Sequence, residues 1–109
     1  MQNLDERVEK AINYLAETDE PAANAKALYH GLDAQTKTIE AIEFKKLSGV
    51  EMTVPAKNAE VHTSEAYISH HKKIYDAMLA FEIYRNRRST AEILVEYWRS
   101  TQANKRQGG

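Results

Sequence analysis

Six basic residues and three aromatic residues are interleaved along EIYRNRRSTAEILVEYWRSTQANKR, residues 82–106: Arg85, Arg87, Arg88, Arg99, Lys105 and Arg106 among Tyr84, Tyr97 and Trp98. Guanidinium groups beside aromatic rings serve two kinds of recognition, stacking and charge neutralisation on nucleic acid, and anchoring at protein interfaces. On a helix, Arg85 and Arg88 share a face, as do Tyr84 and Arg88. The candidate contact residues for a protein or nucleic-acid partner are therefore Tyr84, Arg85, Arg88, Trp98, Arg99, Lys105 and Arg106. The same residues also permit an inward reading, in which Tyr97 and Trp98 close the end of a helical bundle and the arginines pair with Asp5, Glu6 and Glu9. Glu82, Glu92 and Glu96 interrupt the basic run, and the chain as a whole carries a net charge of −1.

Other chemistry finds little support. The chain has no cysteine, which removes disulfides, thiolate nucleophiles and thiolate-bound metals. His70 and His71 are adjacent, so on a helix they diverge by about 100° and do not chelate as an i,i+4 pair would; His30 and His62 stand elsewhere, and no HExxH spacing occurs. There is no GxSxG, P-loop or GxGxxG, and carboxylates such as Glu40, Glu43, Glu92 and Glu96 fall in the pattern of a solvated helix face. The expectation is a protein that is not an enzyme, with no metal, no cofactor and no small-molecule substrate.

The elements that position these residues are helical. Four glycines and two prolines in 109 residues leave few stopping points. Leu4, Val8, Ala11, Ile12 and Leu15 recur at helical spacing behind Asn3, a capping residue, and predict a first helix over 4–17. Thr18-Asp19-Glu20-Pro21 reads as a break and restart, because proline is tolerated only in a first turn. A second helix is predicted over 20–47 with the seam Ala25, Leu28, Leu32, Gln35, Ile39 and Ile42, in which Gln35 is the polar member and Gly31 marks a kink or a close helix crossing. Residues 48–63 form a turn region, with a short helical turn after Pro55. Ser64-Glu65 then caps a third helix over 64–102, roughly 60 Å long, and 103–109 is a flexible tail.

Two long helices joined by one turn region pair as an antiparallel hairpin, and the shorter first helix covers the end of the third, with Leu4, Val8 and Leu15 meeting Leu94, Tyr97 and Trp98. The expected fold class is all-α, a single helical domain over 1–109. The third helix carries two apolar stripes, Tyr67, Ile74, Met78 and Phe81 beside Ile68, Tyr75, Leu79 and Ile83, whereas one partner helix covers one stripe. The surplus predicts assembly into a helical-bundle oligomer, with a dimer favoured. Residues 1–71 hold seven Lys/Arg against twelve Asp/Glu, and 72–109 hold eight against four, so the acidic front and basic tail attract each other or the tail meets phosphate. The N-terminal MQNLDERVEK lacks the layout of a signal peptide, and no apolar run reaches the ~20 residues of a bilayer span. The expected protein is soluble and cytoplasmic, without membrane contact.

VEKAINYLAETDEPAANAKA near the start and AEILVEYWRSTQANKR near the end, with Trp98 to Arg106 the most distinctive piece, resemble a group of small α-helical accessory proteins encoded by bacteriophages and prophages, among genes for recombination and early replication. The resemblance implies a phage-encoded accessory protein in the host cytoplasm and brings no catalytic residues. The stretch VEMTVPAKNAEVHT departs from the more continuous helix of that group. The functional expectation is a non-catalytic adaptor or modulator that binds a protein of the recombination, repair or replication machinery. Direct nucleic-acid binding through the basic C-terminal helix is the alternative, and a structural subunit of a phage particle is the second.

Overall fold

The computed structural model describes residues 2–108 and contains four helices and no strand among them: α1 Leu4–Ala34, α2 Thr36–Lys45, α3 Val54–His62 and α4 Glu65–Gly108. Asn3 caps α1 by accepting from the Glu6 amide at 2.9 Å. Thr53 caps α3 by accepting from the Ala56 amide at 3.3 Å, with Pro55 in its first turn. Ser64 caps α4 by accepting from the Tyr67 amide at 3.2 Å. Each satisfies an amide that the helix itself leaves without a partner.

The boundaries differ from the periodicity in four places. No break separates a helix over 4–17 from one starting at 20, because α1 continues through Pro21. Thr18, expected at that break, does not cap a new helix; its hydroxyl donates back to the Tyr14 carbonyl at 2.6 Å. An interior proline costs about 3 kcal/mol, and continuous burial of Leu15, Thr18, Ala22 and Ala25 along one side of α1 acts against it. The helix expected over 20–47 is divided at Gln35 and ends at Lys45. The turn region 48–63 holds the nine-residue α3, and Gly49 takes φ +83, where a side chain would be strained. The tail expected from 103 is helical to Gly108, and its last residue, Gly109, lies outside the described residues.

Expected as a single domain, the chain divides into two compact units: residues up to Asn24 with those from Phe81 onward, and Ala25–Ala80. In the first unit, α1 and α4 run antiparallel, since Trp98 meets Asp5 while Arg88 meets Thr18. The inward row is Leu4, Val8, Ala11, Leu15, Thr18 and Ala22 on α1, and Phe81, Tyr84, Arg88, Ala91, Val95, Trp98 and Gln102 on α4, all buried or half-buried. Steps of three and four along both rows are the heptad signature of paired helices. Tyr97, expected to meet the first helix, is instead 61% exposed.

In the second unit, the inward row is Ala25, Tyr29, Leu32, Thr36, Ile39 and Glu43, facing Tyr67, His70, Ile74 and Ala77 of α4. Half of the expected seam is thereby displaced by one residue. Leu28 and Ile42 are 58% and 50% exposed, and Gln35 is exposed as well. The reason is polar pairing: His70 is buried and its Nε2 lies 3.1 Å from Thr36 Oγ1, which brings Thr36 inward and turns its neighbour Gln35 out by about 100°. No close crossing occurs at Gly31, where an added Cβ would meet nothing within 4 Å. Gly31→Ala is therefore expected to raise stability by about 0.5–1 kcal/mol, read as an increase in the urea midpoint.

Candidate interaction site

The basic-aromatic segment does not form one continuous surface. Tyr84, Arg88 and Trp98 belong to the inward row of the first unit. Arg88 donates to the Leu15 carbonyl and to Thr18 Oγ1, both at 2.8 Å, and reaches Asp19 Oδ1 at 3.4 Å. Thr18 passes its own proton to the Tyr14 carbonyl, so its hydroxyl accepts from one helix while donating within the other. Asp19 is largely exposed, so the ion pair contributes under about 1 kcal/mol and the two short hydrogen bonds carry the contact.

Trp98 Nε1 donates to Asp5 Oδ1 at 2.9 Å. Its ring walls a shallow cavity of 340 Å³ with Asp5, Val8, Glu9, Ile12, Asn13 and Gln102. Arg85 and Arg99 point outward and pair within their own helix, with Glu82 at 3.3 Å and Glu96 at 3.0 Å. Lys105 and Arg106 are exposed in the last turn of α4, where positive charge complements the helix dipole. Of the acids anticipated as arginine partners, Asp5 takes the indole instead, and the acid beside Arg88 is Asp19.

Sequence reasoning missed a second surface in the same unit. A groove of 460 Å³ runs between the two helices over Ala11, Ala91 and the side of Tyr14, edged by Arg7 and Lys10 from α1 and Arg87, Asn86 and Thr90 from α4. Arg7, Lys10 and Arg87 have no ion pair among the described residues, in contrast to Arg85, Arg88 and Arg99. The Tyr14 hydroxyl is buried with no hydrogen-bond partner. The available signal was the placement of Arg7, Lys10 and Tyr14 on one face of α1 at steps of three and four.

The histidines of the second unit are held by ring and polar contacts. Tyr67 lies between His62 and His71, with centroid separations of 4.9 and 4.3 Å, and His62 Nε2 is 3.9 Å from Glu40. The His70 and His71 rings are nearly perpendicular, 6.1 Å apart. Among the described residues no three His, Asp or Glu side chains are grouped so as to hold a metal ion. The Lys57 ammonium lies 5.9 Å from the Phe44 ring centroid, beside a groove of 580 Å³ between α2 and α3.

The widest exposed apolar feature of the second unit is on α4. Ile68, Tyr75 and Leu79 are 58%, 58% and 48% exposed, while Tyr67, Ile74 and Met78 on the neighbouring stripe are half-buried. A row at seven- and four-residue spacing is the form in which a helix presents itself to another helix. Among the described residues no helix is long and apolar enough to cross a membrane. Compared with protein families, curated proteins and solved structures, the chain matches none.

Proposed function

We propose that this chain is a non-catalytic, phage-encoded accessory protein that assembles as a homo-oligomer, a dimer being favoured, in the cytoplasm of a bacterial host. It acts there as an adaptor or modulator that binds a protein of the DNA recombination, repair or replication machinery. The observation that carries the reading is the uncovered row Ile68, Tyr75 and Leu79 on α4. Burying such side chains contributes about 25 cal/mol per Å² of apolar area, and a soluble chain gains that only by covering the row with a partner. Direct nucleic-acid binding by the basic C-terminal helix has less support, because Arg88 is bonded inward and Arg85 and Arg99 are balanced by acids of their own helix.

The test is an affinity pull-down from bacterial extract with and without nuclease, with the Ile68→Ser, Tyr75→Ser double variant alongside. A retained replication or recombination protein that survives nuclease and disappears with the double variant is the expected result. Retention that is lost with nuclease and indifferent to the variant overturns the reading.

A further inference from the structure

The first unit carries two unlike flanks. At about 100° of rotation per residue, Arg7, Lys10 and Tyr14 lie on one side of α1, and Asp5, Glu9 and Ile12 lie on the opposite side, with the inward row Leu4, Val8, Ala11 and Leu15 between them. The first flank is the groove floored by Ala11 and Ala91 and edged by three cations without an ion pair. The second is a ridge with two exposed carboxylates and the exposed Ile12. Steps of four and three along the ridge match steps of three and four along the groove edge, the spacing at which helix ridges seat in grooves.

We infer that the acidic ridge of one copy seats in the cationic groove of a second copy, through a head-to-tail contact in which α1 lies parallel to α1. Asp5 and Glu9 of the incoming copy meet Arg7, Lys10 and Arg87, and its Ile12 covers the alanine floor. Charge complementarity selects the occupant: the ridge supplies the acids that the groove cations lack within their own chain. Because the two surfaces differ, the contact is heterologous and repeats, giving a ring or a growing filament unless it is capped. The exposed pairs also make it weaken as salt rises. The inference rests on the reading that the chain self-associates and specifies the surfaces that do so.

The experiment is sedimentation velocity on the full chain and two double variants, with helix content checked by circular dichroism. Lys10→Glu with Arg87→Glu disables the groove and leaves the ridge; Glu9→Ser with Ile12→Ser disables the ridge and leaves the groove. Each variant alone is expected to lose self-association by at least about tenfold. Mixed in equal amounts, they are expected to form a two-chain species that grows no further, because one intact ridge meets one intact groove and the remaining surfaces are dead. Both variants assembling like the parent, or remaining single chains when mixed, overturns the inference while leaving self-association by another face in place. A parent chain that stays single at every concentration defeats the self-association reading itself.

Discussion

Replacing Arg88 by alanine is expected to lower the stability of the chain by about 2 kcal/mol, a fall of roughly 8–16 °C in Tm for a domain of this size. The side chain retains 21% exposure, so the loss stays below that of a fully buried cation. The substitution removes two 2.8 Å hydrogen bonds that cross between α1 and α4 and leaves Thr18 with no donor from the opposite helix. Asp19→Ala is expected to cost less than about 1 kcal/mol, because an exposed carboxylate is screened by water. Arg88→Lys is expected to recover only part of the loss, since an ammonium cannot reproduce the guanidinium fork. Thermal melts by far-UV circular dichroism check all three. Unchanged stability with lost partner capture would instead make Arg88 a contact residue.

Trp98→Ala is expected to cost about 2–4 kcal/mol, less than a fully buried tryptophan because the ring is half-buried. Two losses combine: the indole bond to Asp5 at 2.9 Å, and the ring that walls the cavity over Val8 and Ile12. Trp98→Phe separates them, keeping most of the packing and losing the bond, for an expected cost near 1 kcal/mol. As the only tryptophan in the chain, Trp98 also reports on its own unit. Urea titrations followed by circular dichroism measure the two variants, and intrinsic fluorescence of the parent follows the unfolding of that unit. Equal stability of Trp98→Ala and the parent would show that the indole serves an external partner instead.

The helical character of the chain was legible because propensity, caps and spacing agree locally. Asn3, Thr53 and Ser64 stand at the capping positions, and steps of three and four recur along α1 and α4. Pro21 was misread because its penalty is local while the compensation is not: Thr18, three residues before it, is fixed by Arg88 on the other helix. The second-unit seam was misread for a related reason. Hydrophobicity favours Leu28 and Ile42, yet the inward row runs through Tyr29, Thr36 and Glu43, and Thr36 is drawn in by a histidine 34 positions away. The basic segment was grouped by proximity in sequence, whereas neighbours on a helix diverge by about 100°. Arg88 turns inward, Arg85 meets Glu82, and Arg87 edges a groove whose other cations, Arg7 and Lys10, come from the far end of the chain.

The central claim is that the uncovered row of α4, and not the arginines, meets the partner. A photo-crosslinking amino acid placed at Tyr75, compared with the same group at Arg85 in cells expressing the full chain, tests this most directly. The account predicts that position 75 becomes covalently joined to a protein of the replication or recombination machinery, in an adduct that resists nuclease, and that position 85 yields no nucleic-acid adduct. Nucleic acid captured at position 85, or nothing but further copies of this chain captured at position 75, would contradict it.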